Sequence, residues 1–316
     1  MDRRELGNSG IHIAPIMFGG NVFGWTVDRD KAFALLDAFV DAGFNAVDTA
    51  NVYSDWAPGN VGGESEAIIG AWMKARGNRA DIVVATKVGW DHGARGKGLS
   101  RAHIMQEVEA SLARLQTDYI DLYQAHKDDP LAPLEETLET FAELVAAGKV
   151  RAIGASNYSA ARLRQALEIS DREGFPRFVT LQPRYNLYDR EGFERELQPL
   201  CRAENIGVIP YYALASGFLT GKYRSQADFP KSRRGGGMGN YLNPRGLRIL
   251  AGLDVVAKAY GITPSAVALA WLMRQPTIAA PIASVSNISQ LRDFSIASRL
   301  DLGDFAQTRL EEASKP

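Results

Sequence analysis

Apolar and polar positions along the chain switch between two periods. Short apolar runs at 45–48, 81–87, 118–125, 150–155, 178–182, 206–212 and 277–283 read as buried strands, and 16–20 forms an earlier one. Between them the apolar residues recur at three- and four-residue spacing. In 29–42 these are Phe33, Leu36, Phe39 and Val40, and further helical patterns cover 64–75, 101–115, 133–147, 159–172, 189–204, 246–260, 264–275 and 289–299. Ahead of this rhythm, two extended pieces flank the turn signal Gly7-Asn8-Ser9-Gly10 and predict a small hairpin.

A strand that returns parallel to its predecessor needs a crossover long enough to hold a helix, so strict alternation predicts a parallel sheet. Eight such strands with no central break in composition predict a (β/α)8 TIM barrel, an α/β fold, with a short N-terminal β-hairpin and one domain over 1–316. Local stops agree. Ser100 precedes the 101–115 helix, Pro133 stands at the start of the next and Gly148 follows it. In a barrel of this kind, chemistry belongs at the carboxyl ends of the strands. Asp48, Lys87, His126, Ser156, Asn157 and Gln182 all stand there.

Composition narrows the function. With 36 Lys and Arg against 37 Asp and Glu, the net charge is -1, and no basic face interleaved with aromatics marks a nucleic-acid partner. The single cysteine, Cys201, excludes an internal disulfide and fits a reducing compartment. A charged start with no long apolar run predicts no signal peptide, no membrane span and a cytoplasmic location.

The four histidines, His12, His92, His103 and His126, form no H-x-H or H-E-x-x-H spacing, and one cysteine cannot make C-x-x-C, so no metal site is expected. Gly154-Ala155-Ser156-Asn157 lacks the second glycine of a nucleophile elbow. Neither a Walker loop nor G-x-G-x-x-G occurs, and the stretch from Arg234 through Gly235, Gly236, Gly237 and Met238 to Gly239 reads as a flexible surface loop.

What remains is a tyrosine, a lysine, a histidine and an aspartate. A free phenol titrates near about 10 and is a poor acid at neutral pH unless a cation stabilises the phenolate. Lys87, held by Asp48, supplies that charge to Tyr53, while His126 orients and polarises a carbonyl oxygen beside it. Such a site delivers a proton to oxygen. The matching hydride cannot come from a side chain, which implies a nicotinamide.

The chain resembles the aldo-keto reductases over nearly its whole length. The resemblance is carried by Arg4-Glu5-Leu6-Gly7-Asn8-Ser9-Gly10, Asp48-Thr49-Ala50-Asn51-Val52-Tyr53, Gly63-Glu64-Ser65-Glu66 and Ala85-Thr86-Lys87-Val88. It continues through Asp118-Tyr119-Ile120-Asp121-Leu122-Tyr123-Gln124-Ala125-His126, the 148–157 segment and the 217–223 run. It implies a barrel binding NADP(H), less often NAD(H), across the strand ends, with Asp48, Tyr53, Lys87 and His126 as the catalytic tetrad. Ser156, Asn157 and Gln182 match the positions that hold the nicotinamide carboxamide. Tyr211 matches the ring stacked on it. Tyr212, Leu214, Ser216 and Gly217 match the pyrophosphate segment, and Gly20 and Asn21 the first strand's loop.

The chain departs from the family pattern in two places. Tyr212-Ala213-Leu214 replaces the usual Ser-Pro-Leu. In the adenosine loop, Ser286 and Phe294 stand where many relatives carry an arginine and an asparagine, leaving Ser284, Ser286, Asn287 and Gln290 as hydrogen-bonding groups and Arg292 as a cation in reach of a phosphate. Trp25, Trp56 and Trp90 fall in loops after strands and are candidates for contact with a small carbonyl or sugar substrate. The 215–244 connection exceeds the usual loop length and is a candidate lid. A cofactor-binding regulatory subunit, like the channel-associated branch of the family, is the alternative to an enzyme.

Overall fold

The computed structural model describes residues 1–93 and 96–315. A hairpin of β1 (Arg4–Glu5) and β2 (His12–Ile13) precedes eight parallel strands: β3 (Met17–Gly19), β4 (Ala46–Asp48), β5 (Val83–Val88), β6 (Ile120–Ala125), β7 (Val150–Ser156), β8 (Phe178–Gln182), β9 (Gly207–Val208) and β10 (Ile282–Ala283). They are ordered β10-β3-β4-β5-β6-β7-β8-β9. The ring closes where the Ala279 N–H donates to the Val208 carbonyl and the Ile282 N–H to that of Pro210, each at 2.9 Å. The sequence-predicted (β/α)8 barrel is therefore the fold.

Period-two alternation sorts side chains between two cores. Ala46, Val83, Ala85, Leu122, Ala152 and Ile209 point into the barrel, where Leu6, Ile11 and Ile13 of the hairpin pack beneath them. Val47, Val84, Val88, Tyr123, Ile153 and Ala155 point outward to the helices. Small interior residues are required because the ring is narrow: a Cβ on Gly154 would lie 2.2 Å from Thr180 Oγ1.

The helices are α1 (Arg29–Asp41), α2 (Glu64–Arg76), α3 (Arg101–Leu115), α4 (Leu134–Ala146), α5 (Ala160–Glu173), α6 (Glu191–Glu194), α7 (Leu197–Ala203), α8 (Pro244–Tyr260), α9 (Pro264–Met273), α10 (Leu291–Ala297) and α11 (Asp304–Ser314). Asp28, Ser100, Ser159, Asn243 and Thr263 cap α1, α3, α5, α8 and α9 through their side-chain oxygens. Among the described residues no single helix is long and apolar enough to cross a membrane.

Three expectations change. The helix predicted over 189–204 is broken between α6 and α7. The 215–244 connection is built from three 3-10 turns, Ala215–Thr220, Gln226–Lys231 and Gly235–Asn240, and so has structure of its own. The glycine-rich stretch in it is anchored by the buried Gly235 and Met238, while Gly236, Gly237 and Gly239 lie at the surface as expected. Finally, α11 shows no sequence signal because its buried face is Ala306, Leu310 and Ala313 while its one aromatic, Phe305, faces solvent.

Helices α2 and α3 cross closely at Gly70, where an added Cβ would lie 2.3 Å from the Arg114 carbonyl oxygen. Backbone cannot yield as a side chain does, so Gly70→Ala is expected to lower stability by about 1–3 kcal/mol, read as a reduced urea midpoint with an unchanged slope.

Candidate active site

The strand alternation that fills the barrel with Ala46, Ala85 and Leu122 also turns Asp48, Lys87, Gln124 and His126 inward, at the carboxyl ends of three neighbouring strands. Tyr53 joins them from the loop after β4. Lys87 has no exposed surface and Asp48 is 2% exposed. The Lys87 ammonium donates to Asp48 Oδ2 at 2.8 Å, to the Thr49 carbonyl at 2.7 Å and to Tyr53 Oη at 2.9 Å. Its three protons are thereby all used. On the other side of Asp48, Gln182 Nε2 donates to Oδ1 at 2.8 Å, and the Tyr53 hydroxyl reaches Oδ2 at 3.4 Å.

Burial is the first cause of every shift in this group. It raises the Tyr53 phenol well above its ordinary value, and the Asp48 carboxylate adds to this. The sequence alone suggests that Lys87 eases deprotonation; here desolvation and Asp48 win, and the resting phenol keeps its proton. Burial also lowers Lys87, with Asp48 acting against it. His126 is driven well below its ordinary value by burial and then by the Lys87 and Lys127 charges, so its ring is neutral at physiological pH.

Asp48, Tyr53 and His126 open into a cleft of about 820 Å³, with Lys87 buried behind them. Its floor carries Ser156, Asn157 and Gln182: Ser156 Oγ donates to the Gln182 carbonyl at 2.9 Å, and Asn157, at φ 56°, donates to the His126 carbonyl at 2.9 Å. Tyr211 donates its hydroxyl to Asn157 Oδ1 at 2.8 Å. Beyond it, Tyr212, Leu214, Ser216 and Gly217 line one wall, with left-handed backbone at Tyr212, Ser216 and Gly217. At the far end lie Asn21, Ser284, Ser286 and Gln290, where Ser284 Oγ donates to Asn21 Oδ1 at 2.7 Å and the Ser286 N–H to Gln290 Oε1 at 2.8 Å.

Trp56 and Trp90 line the mouth, Trp90 lying 5.0 Å from the His126 ring and Trp56 6.0 Å from that of Tyr53. Besides Lys87, three expected residues stand behind the lining. Trp25 packs edge-on against Trp56 at 5.9 Å. Gly20 lies under the wall, its Cβ direction filled by the Asp48 carbonyl and Ser65 Oγ. Asn287 caps the turn at Ile288–Gln290, accepting from the Gln290 N–H. Phe294 does line the cleft, yet its ring is core, edge-on to Phe39 and Phe44. Arg292 is exposed and outside the lining.

Sequence reading missed the cleft's cations: Lys31, Arg184, Lys222, Arg233 and Arg234 all line it, and among the described residues none has an ion-pair partner. Arg234 stacks over Trp25 at 5.5 Å, and its buried Nη2 has no hydrogen-bond partner. A buried guanidinium left unpaired is costly, so this wall suits an anionic ligand such as a dinucleotide's phosphates. Only the run from Lys222 to Arg234 signalled it. Among the described residues no three His, Cys, Asp or Glu side chains are placed to hold a metal ion.

Residues 15–314 match the family described as Aldo/keto reductase family. This chain belongs to the aldo/keto reductase family. Among curated relatives of this family member, Aldo-keto reductase AMT2 of Alternaria alternata is 33% identical, over 99% of this chain and 91% of its own. Aldo-keto reductase YhdN of Bacillus subtilis is 35% identical, over 87% and 82%. A probable voltage-gated potassium channel subunit beta of Oryza sativa is 34% identical, over 92% and 89%. Membership makes the chain an oxidoreductase of a family that uses nicotinamide cofactors and acts on small-molecule carbonyls.

The neutral His126 of this aldo-keto reductase fold gives a pH signature. Below about pH 6.5 the unfolded chain binds a proton at this residue that the folded chain refuses, so stability falls with acidification. The wild-type minus His126→Gln stability difference is expected to fall as the pH drops below about 6.5 in urea titrations, and a flat difference would contradict the neutral ring.

Proposed function

We propose that the protein reduces an aldehyde or ketone, or oxidises the corresponding sugar or polyol alcohol, using NADP(H) in preference to NAD(H). The observation that carries this reading is the set of three bonds from the buried Lys87 ammonium, one of which ends on the hydroxyl of Tyr53 at the cleft floor. The cofactor, when bound, supplies or accepts hydride. Everything else falls to the chain's own residues.

Tyr53 holds a proton that burial and Asp48 keep in place. It gives that proton to the substrate oxygen, and Lys87 at 2.9 Å stabilises the phenolate left behind. His126, neutral, donates a hydrogen bond to the same oxygen and fixes its position between the two rings. Asp48 does not touch substrate. It keeps Lys87 charged against the cost of burial, and Gln182 steadies it from behind.

For the cofactor, Ser156, Asn157 and Gln182 suit the carboxamide, the face of Tyr211 suits the nicotinamide ring, and Lys222, Arg233 and Arg234 suit the phosphates. Gln182 spends its amide N–H on Asp48, which leaves its oxygen to accept from the carboxamide. The NADP(H) preference rests on family usage and on the surplus of unpaired cleft cations. Trp56 and Trp90 bound the substrate end, where an apolar carbonyl compound fits between aromatic faces.

A regulatory-subunit reading is favoured by one observation, the relatives named as potassium channel beta subunits at 34% identity. Cofactor binding without turnover on a panel of aldehydes would select it. Tyr53→Phe is expected to bind NADPH within about 3-fold of wild type while kcat falls by about 10²–10⁴-fold, and retained turnover would remove Tyr53 from its role. Paired fluorescence titrations should show NADPH binding at least about 10-fold tighter than NADH if the cleft cations meet the extra phosphate, and equal affinities would overturn the preference.

A further inference from the structure

The outward faces of β5 and β6 carry a second polar system that the chemistry of the cleft does not use. Thr86 points away from the barrel, one residue from Lys87, and donates its hydroxyl to Glu66 Oε1 at 2.5 Å. Arg114 Nε donates to Glu66 Oε2 at 2.7 Å. Glu107 Oε2 accepts from Asn51 Nδ2 at 2.7 Å and lies 3.8 Å from Arg114 Nη2 and 3.9 Å from His92 Nδ1. Glu66 and Glu107 are 0% and 1% exposed, so two carboxylates sit between barrel and helices with, among the described residues, a single arginine for direct charge balance. Burying such groups costs several kcal/mol per ion, and an apolar contact between α2, α3 and the strands would stabilise the fold as well.

The arms of Glu107 lead to the two loops that shape the substrate end. Asn51 stands two residues before Tyr53, and its own N–H donates to the Lys87 carbonyl at 3.2 Å. His92 stands two residues after Trp90. Its Nε2 is 2.9 Å from the carbonyl of Val61, which lies on the loop that carries Tyr53. A carbonyl only accepts, so Nε2 bears a proton, and Nδ1, which has no hydrogen-bond partner among the described residues, faces Glu107 across 3.9 Å. The ring packs directly on the backbone there, since a Cβ on Gly62 would fall 2.1 Å from His92 Nε2.

We infer that Glu107 is a positioning residue that locks the Tyr53 loop to the Trp90 loop. Through Asn51 it sets where the phenol stands relative to Lys87. By backing the His92 ring at 3.9 Å, where that ring is bonded to the Val61 carbonyl, it sets the wall of the carbonyl pocket at Trp90. The inference rests on the proposed role of Tyr53. It places on α3, behind the barrel wall, a group that controls the reaction without touching substrate.

The two arms separate in kinetics. With 4-nitrobenzaldehyde as probe and rates normalised to NADPH-binding sites, Asn51→Ala is expected to lower kcat by about 10–100-fold, with KM little changed. His92→Phe should raise KM several-fold and leave kcat near wild type. Glu107→Leu should do both, whereas Glu107→Gln, which still offers Asn51 an oxygen, should keep kcat within about 3-fold. NADPH affinity should be unaltered in all four. Amide hydrogen exchange gives a readout free of turnover: Glu107→Leu should speed exchange in 51–63 and 89–93 and leave the other strands' loops as they were.

Equal losses of kcat in all four variants, or an exchange increase spread over the whole chain, would reduce Glu107 to a structural residue and overturn the inference. So would unchanged exchange in 51–63. If Glu107→Leu does not fold, Asn51→Ala and Glu107→Gln decide by the same split. A wild-type protein that turns over no carbonyl compound would count against the proposed function, and the exchange pattern alone would then decide the lock.

Discussion

An ammonium group with no exposed surface fixes the site. Lys87 is stable as a cation only where Asp48 meets it, and it has no proton to spare once the Thr49 carbonyl and Tyr53 hydroxyl are satisfied. Removing any one partner leaves a buried charge or donor uncompensated, which costs far more than the bond itself gains in water. The position of the tyrosine is thus a consequence of the lysine's coordination. The barrel supplies the rest: neighbouring parallel strands deliver Asp48, Lys87 and His126 to one rim because their side chains share the inward phase.

That phase explains why so much was legible in the sequence. Inward and outward positions differ by one residue. An aspartate ends β4, a lysine stands next to last in β5 and a histidine directly follows β6, all in the inward phase and each two residues further along than the last in register. Strand order followed from alternation with helices. What stayed hidden had no periodic signature. Helix α11 buries alanines and exposes its phenylalanine, so its face reads as polar. The cations of the 215–244 segment look like solvated charge along the chain, and only folding sets Arg234 over Trp25 and beside the cleft. Direction of titration was equally hidden, since burial outweighs the neighbouring cation at Tyr53.

The site also has depth beyond its rim. Inside the ring, Gln182 joins Asp48 to the floor on which Ser156 and Asn157 stand. Outside it, Glu66 and Glu107 hold the same strands and loops from the helix side. Strand β5 is the wall between them, with Lys87 committed inward and Thr86 outward.

A wall with two different polar faces cannot be shifted along its own length. Moving β5 by a single residue would send the ammonium toward Glu66 and a threonine toward Asp48, exchanging charge for hydroxyl on both sides at once. Any lengthening or shortening of the chain near β5 is therefore confined to the connections on either side of it.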